Sequence, residues 1–360
     1  MAPVELAWYG CDLRTGRIAE ELRSLRPQQV LSRRMGAPTS TSFSLALDGA
    51  PAGWEAATDQ GRTMLVAVDT ATGLPLWGGL TLRREGGSSP TLDLTAATAE
   101  AYLDRRYPGD YTATATDMTT VMADLATAVL TSGPPLVLDT AASGTVIDYT
   151  MADSADRTVS SGLQEVAAMA GAPEWTIDVA WADAAQTRFQ LILRIRPTLG
   201  VVTDRPAAIF DMPGCLSSYV VSESYERGKG ATRTIARGAQ ADGTRATSAV
   251  HTAAEAIAAG WPLWEDRFTP AAGITDTGQL DRHAAQALAL SATGARAWAL
   301  QATASRAPRL GSEWGLGDSI GIQIASSPRH PAGTAVTARA YAWALDTTAD
   351  SLVPTLLEDE

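Results

Sequence analysis

The sequence predicts an α+β protein that is mainly β, ordered as a β unit, an α+β unit, and a second β unit with a helical insertion. Three patterns support this order: alternation with a period of two in the first hundred residues, helical spacing between residues 117 and 170, and renewed alternation after Pro197. The 360 residues suffice for two or three domains. We place them at residues 1–100, 101–200 and 201–360.

The N-terminal hundred residues have the pattern of strands. Residues 42–47 alternate polar and apolar, and residues 64–68 form a short apolar run. Residues 80–83 and 91–94 alternate on either side of a turn of Gly, Ser and Pro at 86–90. Closely spaced runs of this kind, broken by Gly, Pro and Asp, are typical of an all-β unit such as a small barrel or sandwich.

The middle segment combines helices and strands. Apolar residues spaced by three and four predict a helix over residues 117–130, with its first residue, an aspartate, as the N-cap. A second helix is predicted over residues 156–170 and ends at Gly171. Strands follow at residues 175–181 and 189–195. Together these elements predict a compact α+β unit.

The C-terminal segment returns to strands. They are predicted at residues 217–225, 232–237, 319–324 and 336–345. A helical insertion at about residues 276–304 interrupts them, because a stripe of mostly small residues recurs at helical spacing from Gln279 to Ala304.

Composition excludes several classes of function. The formal net charge of −12 disfavours stable binding to nucleic acid, since carboxylates repel phosphates. The N-terminal residues lack the basic and apolar regions of a secretory signal, and no apolar run is long enough to span a bilayer. We therefore expect a protein made in a cytoplasm. Cys11 and Cys215 cannot form a disulfide framework, and we expect two buried or inert thiols.

The sequence offers no catalytic, cofactor-binding or metal-ligating residues. Motifs for a nucleophile elbow, a zinc protease, a phosphate loop and a Cys-x-x-Cys site are all missing. We interpret His283 as a tolerated histidine of an Ala-rich helix, His330 as an exposed loop residue, and His251 as a loop or short-helix residue with no partner. A zinc site is not expected from three scattered histidines.

Carboxylate pairs and tryptophans are the remaining candidates for function. Glu20-Glu21, Asp153 with Asp156, and Glu265-Asp266 could serve a glycoside hydrolase by residue type, but we interpret them as solvated turns and caps. The run 358–360 is predicted to be an exposed tail. The ten tryptophans could be sugar-binding platforms or interface anchors, and we expect most of them to fill β cores and seams between domains.

The order of several short segments resembles that of the tail-hub, or minor tail, proteins of phages with long non-contractile tails, especially those infecting actinobacteria. The segments are LDLTAATAEAYLDR at 92–105, the Asp117 helix followed by Ser143-Gly144, Thr158-Val159 leading through Leu163 to Gly171 and Glu174-Trp175, GWPLWE at 260–265 before the helix at 280–287, WGLGD at 314–318, and the closing stretch 339–354. The family's usual valine after the Gly-Asp turn is Ile320 here.

This resemblance implies a fold related to the baseplate hub of contractile tails, in which two β-barrels similar to tail-tube subunits flank an α+β domain. It further implies a homotrimer in the virion tail tip, assembled in the bacterial host cytoplasm. The implied partners are a distal tail protein or tail-tube hexamer, the tape measure protein, and a tip fibre or receptor-binding protein. DNA would pass through without stable binding, and no enzymatic activity or cofactor is implied.

Two alternatives remain open at this point. The chain could be another tail-tip protein, such as a distal tail or receptor-binding protein, although the repetitive or coiled-coil shafts usual in receptor-binding proteins are missing. A cell-wall or glycan hydrolase is the other alternative, and a zymogram on cell walls would distinguish it.

Overall fold

A computed structural model of the chain describes residues 3–241, 244–270 and 273–358. Within these ranges the chain forms 23 strands and six α-helices, so the expectation of a mainly β protein with few helices is confirmed. No helix in the described part of the chain is long and apolar enough to cross a membrane.

The N-terminal unit is built around an antiparallel sheet of seven strands. Its elements are β1 (Leu6–Asp12), β2 (Ile18–Glu21), β3 (Leu25–Pro27), β4 (Leu31–Arg34), β5 (Ser40–Ala46), α1 (Trp54–Ala57), β6 (Thr63–Asp69), β7 (Pro75–Glu85) and β8 (Thr91–Thr98). The strand order is β2-β1-β6-β7-β8-β5-β3. All four strands predicted here are confirmed, as β5, β6, β7 and β8.

Both faces of this sheet are covered by apolar side chains. Every residue of β6 is buried. Leu65 and Ala67 point into a core shared with the C-terminal unit, whereas Met64 and Val66 point into the core of the middle unit. Side chains alternate between the two faces of a strand, so a continuous apolar run such as 64–68 fits a strand covered on both sides.

The middle unit packs helices against two small sheets. Its elements are α2 (Glu100–Leu103), β9 (Tyr111–Asp117), α3 (Met118–Leu130), β10 (Leu136–Thr140), β11 (Val146–Met151), α4 (Val159–Ala167), β12 (Glu174–Trp181) and β13 (Phe189–Arg196). The helix predicted at 117–130 is confirmed, and its cap Asp117 accepts a hydrogen bond of 2.9 Å from the Thr119 backbone. Both predicted strands are confirmed as β12 and β13.

The second predicted helix is shorter than expected. Asp156 has left-handed backbone angles (φ 49°) and ends a separate 3-10 turn over Asp153–Ala155. The helix starts at Val159, because Thr158 is the residue whose side chain accepts the hydrogen bond from Ser161 N, at 3.1 Å. The prediction from periodicity began the helix three residues early, whereas the Thr158-Val159 segment of the resemblance coincides with the observed start.

The C-terminal unit contains a second seven-stranded sheet and a smaller four-stranded one. Its elements are β14 (Ile209–Met212), β15 (Leu216–Ser224), β16 (Arg233–Ala241), β17 (Thr244–Thr247), β18 (His251–Thr252), α5 (Ala254–Ala258), β19 (Glu265–Phe268), α6 (Thr277–Ser291), β20 (Ala295–Thr303), β21 (Ser319–Ile324), β22 (Thr334–Asp346) and β23 (Ser351–Leu357). The predicted strands are confirmed as β15, β16, β21 and β22. The order in the large sheet is β14-β21-β22-β23-β20-β15.

The long helix predicted from Gln279 to Ala304 is wrong in its second half. The helix ends at Ser291, and residues 295–303 form the strand β20 between β15 and β23. Gly294 takes a left-handed conformation (φ 87°) that stops the helix. The residues after it alternate so that Trp298 and Leu300 enter the core, and this burial outweighs the helical preference of the alanines.

The seventh strand of the second sheet comes from the N-terminal segment. β4 pairs antiparallel with β22, with Leu31 opposite Leu345. In the described residues no pairing joins the two end strands of either large sheet, so the implied closed barrels are not found. The division at residues 100 and 200 stays a prediction.

Residues 225–294 form a distinct part of the C-terminal unit, here called the insertion module. It contains β16 to β19, α5 and α6. Its own apolar cluster has four buried members: Ala236, Ile274, Leu280 and Ala284. The rest of the chain, here called the body, has the two large clusters on either side of the first sheet.

Candidate functional site

Paired charged side chains, some buried and some half-buried, mark the places where the three units meet. Arg33, Arg309 and Arg339 each bind a carboxylate that belongs to a different unit of the chain. A buried charge is stable only when it is paired and hydrogen-bonded, so each position strongly constrains how the units dock. These junctions are the candidate functional site of a chain in which the units must keep fixed relative positions.

Arg33 is the centre of the first junction. It lies on β4 and is buried, with Nη1 2.7 Å from Asp178 Oδ1 and Nη2 2.7 Å from the carbonyl oxygen of Ile177. Nη2 also lies 3.8 Å from Glu100 Oε1. Burial raises the pKa of Glu100, although the Arg33 charge acts in the opposite direction. One guanidinium therefore joins the second sheet to α2 and β12.

The charges continue from Arg33 across the sheet of the middle unit. Asp178 Oδ2 accepts a hydrogen bond of 2.7 Å from Arg194 Nε, and Arg194 also pairs with Asp139, which is bound by Arg196. Burial alone would raise the pKa of Asp178, but the charges and hydrogen bonds of Arg33 and Arg194 lower it. Beside this network lies a cleft of about 790 Å³, with walls from all three units.

Arg309 joins the C-terminal unit to the end of β6. Its guanidinium binds both oxygens of Asp69, with Nε 2.8 Å from Oδ2. Asp69 is fully buried, and its Oδ1 also accepts a hydrogen bond from the Ala71 backbone. Burial tends to raise the pKa of Asp69, but the hydrogen bonds from Arg309 and Ala71 bring it below the ordinary value.

Arg339 joins the C-terminal sheet to the middle unit. Its Nη1 and Nη2 lie 2.6 Å and 2.7 Å from the two oxygens of Glu174, the first residue of β12. The same guanidinium donates to the carbonyl oxygens of Leu199 and Gly317. A planar guanidinium suits such a bidentate pair, and lysine would make fewer of these contacts.

Metal ligands and thiols are the other groups that could support chemistry. In the described ranges no group of three or more His, Cys, Asp or Glu side chains is placed to hold a metal ion. Cys11 and Cys215 are both buried and free, as expected, and burial raises the pKa of each thiol. A thiol with a raised pKa is a poor nucleophile at neutral pH.

His251 and His330 differ from their predicted settings, whereas His283 lies in the Ala-rich helix α6, as predicted. His251 lies on β18, and its Nε2 is 2.9 Å from Asp281 Oδ1 of α6, so it does have a partner. His283 is buried against the middle unit. His330 is half-buried, with its ring stacked 6.0 Å from those of Trp298 and Tyr219. Sequence periodicity and composition do not reveal such contacts between residues far apart in the sequence.

The carboxylate pairs are exposed or half-buried, but Glu20-Glu21 and Glu265-Asp266 lie in the strands β2 and β19 and not in turns or caps. Asp153 and Asp156 are exposed in one turn, as predicted, and Glu265 pairs with Arg233 and Arg267. In the predicted terminal tail, Glu358 instead accepts a hydrogen bond from the Trp298 indole and pairs with Arg296. Residues 359 and 360 lie outside the described residues.

The tryptophans mostly fill the interior, as expected. Six are buried: Trp8, Trp77, Trp175, Trp298, Trp314 and Trp343. Trp261 and Trp264 are exposed on the insertion module, where their rings lie 4.9 Å and 5.9 Å from that of Tyr225. An exposed aromatic cluster is therefore present on this module alone among the described residues.

The junction arginines were not foreseen from the sequence. A usable signal exists for Arg33, which follows the buried Leu31 by two residues and so lies on the same face of its strand. An arginine in an inward position needs a buried carboxylate nearby. The sequence does not identify that carboxylate, because Asp178 lies 145 residues away.

Comparison with solved structures finds the same fold in phage tail proteins. A tail protein from Neisseria meningitidis matches with a TM-score of 0.60 at 10% identity, covering 99% of this chain and 97% of that protein. The 43 kDa tail protein of prophage MuSo2 from Shewanella oneidensis matches with a TM-score of 0.57 at 10% identity, covering 98% of both chains. Prophage tail protein gp18 from Listeria monocytogenes matches with a TM-score of 0.56 at 11% identity, covering 99% and 94%.

The similarity is one of fold, at sequence identities near one residue in ten. The chain has the fold of these tail proteins from end to end. No family model matches the sequence, and no curated protein matches it either.

Proposed function

We propose that this chain is a structural, non-catalytic protein of a phage tail, and that it acts as the hub at the distal end of the tail tube. The observation that carries the proposal is the similarity to phage tail proteins over at least 98% of this chain. This similarity extends over both large sheets, the α+β unit and the insertion module, so it is not limited to one shared motif. The paired charges at the junctions hold the units in fixed positions, which suits a structural protein that transmits load between them.

A homotrimer is the assembly in which two large sheets per chain match the sixfold symmetry of a tail tube. Three copies would offer six similar sheets to a sixfold tube and three copies of every other element to a threefold tip. Such a ring closes by heterologous interfaces. The end strands β2 and β3 of the first sheet, and β14 and β15 of the second, are the edges available for pairing with a neighbouring copy.

The proposed partners follow from that position. A distal tail protein or tube hexamer would bind on one side, and a tip fibre or receptor-binding protein on the other, with the tape measure protein inside. The net charge of −12 supports a bore in which carboxylates outnumber arginines, so that DNA passes without being held. An arginine-lined bore would contradict this part of the proposal.

The decisive experiment is a cryo-EM reconstruction of the tail tip of intact virions. We expect three copies in a ring at the end of the tube, each contributing both seven-stranded sheets. Six copies, a single copy, or a position away from the tube end would reject the hub.

A turnover assay tests the non-catalytic part separately. The purified protein should leave peptidoglycan, teichoic acid and capsule intact. Glu265, a member of one candidate carboxylate pair, is bound by Arg233 and Arg267, and the sequence contains no recognised hydrolase motif. Degradation that is lost on substituting Glu265 and Asp266 would show that the chain is a hydrolase.

A further inference from the structure

The insertion module is attached to the body by two chain connections, and both pass through glycines with left-handed backbone angles. Gly228 (φ 80°) lies between β15 and β16, and Gly294 (φ 87°) lies between α6 and β20. A Cβ at Gly228 would meet no atom within 4 Å. The module therefore has its own small core and two narrow connections, the arrangement expected of a unit that can move as a body.

The module docks on the middle unit through polar contacts along one seam, here defined as the contact of α6 with α4 and β11. Ala170 N donates to the carbonyl oxygen of Arg282 at 3.2 Å, and Arg282 Nη2 donates to the carbonyl oxygen of Val146 at 3.0 Å. His283 Nδ1 lies 3.2 Å from the carbonyl oxygen of Ala168. A cleft of about 620 Å³ opens beside these contacts.

His283 is the buried titratable group of this seam, and only 2% of it is exposed. Its contact with the Ala168 carbonyl requires the proton to be on Nδ1. Nε2 is buried and has no hydrogen-bond partner among the described residues. A proton on Nε2 would create a buried cation whose second N–H has no acceptor, which is unfavourable unless the seam opens.

The charged groups on the α4 side are already engaged. Glu165 accepts a hydrogen bond of 2.8 Å from Tyr149 OH of β11 and also pairs with Arg157. Burial lowers the pKa of His283, and the Glu165 charge opposes this without reversing it. Lys229 and Asp266 are the charged side chains of the module that line the cleft.

The module's own charges next to His283 are also engaged. On α6, Asp281 is bound by His251 of β18, and Arg282 is bound to the Val146 carbonyl. On β16, which packs on α6, Arg233 pairs with Glu265. Within the described chain, none of these groups forms a hydrogen bond with His283.

We propose that His283 is a proton-sensitive latch that keeps the insertion module docked on α4 while its imidazole is neutral, and releases the module when it is protonated. The pKa is lowered in the docked state and ordinary, near 6.5, in the open state, so the open state binds the proton more readily. The equilibrium constant for opening the seam is therefore independent of pH above about pH 7.5, and it rises as the pH falls below 6.5. For a docked state that never binds the proton, the opening constant at pH 5 is about 30-fold that at pH 7.5.

Hydrogen exchange of the full-length chain tests the latch at the Ala170 amide, which donates across the seam. After correction for intrinsic exchange, its protection in the wild-type chain should fall between pH 7.5 and pH 5, by up to about 30-fold. In His283→Gln the protection should not depend on pH in this range. His251→Gln and His330→Gln are the matched controls and should respond like the wild type. With three histidines in the chain, this series covers every imidazole.

Two results would overturn the proposal: an Ala170 protection in the wild type that stays constant with pH, or a pH response that persists in His283→Gln. If that variant does not fold, hydrogen–deuterium exchange at the imidazole C2 position of the wild-type chain still decides the question. The expected result is a pKa of His283 below 6.5, and a value at or above 6.5 would reject the latch.

Discussion

The body and the insertion module are stabilised in different ways. The first sheet of the body lies between two large apolar clusters, and the charges that connect its units are paired and either buried or half-buried. The module has a core of four buried residues and meets the body along a polar seam. Buried apolar area is the main source of stability, so the module should open locally at a smaller free energy than the body.

The two regions also differ in what they present to solvent. The module exposes Val250, Ile257, Trp261, Leu263, Trp264 and Leu290. Four of these six lie within residues 257–264, close to the Tyr225 ring cluster. Large exposed apolar side chains close together are typical of surfaces that contact partners.

Removing the charge at the first junction should have the largest effect on the body. Arg33→Met leaves Glu100 buried without its cation, and we expect the free energy of unfolding to fall by about 3–5 kcal/mol in urea denaturation. Arg23→Met is the control, because its pair with Glu21 is exposed, and it should leave the transition unchanged. Equal effects of the two substitutions would contradict the role of the junction.

Truncating one core leucine in each region tests their independence. Leu65→Ala in β6 should destabilise the whole body by about 2–5 kcal/mol, observed as a lower midpoint for the global transition. Leu280→Ala removes a main side chain of the four-residue core. Its effect should be confined to residues 225–294, with loss of hydrogen-exchange protection there and little change in the global midpoint. A single shared transition shifted by both variants would refute the comparison.

Acid should weaken the body through Asp69. Its pKa is lowered in the folded state, so its contribution to stability is fully present above the unfolded value of about 3.9 and is lost as the pH falls below it. Wild-type Tm should therefore decrease more steeply from pH 5 to pH 3 than that of Arg309→Met. Arg62→Met, which alters an exposed pair, should follow the wild type. Parallel curves for wild type and Arg309→Met would argue against this assignment.

The exposed tryptophan should matter least for stability. Trp264→Ser changes a ring that is 52% exposed, and we expect a change below about 0.5 kcal/mol. Trp298→Ala, which removes a fully buried ring, should cost about 3–5 kcal/mol in the same denaturation experiment. A large loss for Trp264→Ser would mean that the module depends on this aromatic cluster for its fold.

Strands with clear alternation were predictable from the sequence. The position where a helix starts was predictable only where a capping residue marked it. Residues 189–195 lie in β13, where the alternation selects one buried face. Residues 319–324 form β21, in which every residue except Gln323 is buried. Asp117 marks the start of α3, whereas the periodicity placed the start of α4 at Asp156, three residues before the observed start at Val159. The stretch 295–303 was misassigned because alanine suits a helix until a neighbouring strand provides partners on both sides.

By itself, the sequence determined the mainly β character, the sequence of β, α+β and β segments, and the absence of recognisable catalytic motifs, since these depend on local periodicity and residue type. Only the tertiary structure decided that β4 joins the second sheet, that Arg33 and Arg309 bind carboxylates of other units, and that His283 is enclosed in a seam. Each of these contacts joins residues more than a hundred positions apart. The free energy of burying such groups depends on what the fold places around them, and the local pattern along the chain carries no record of it.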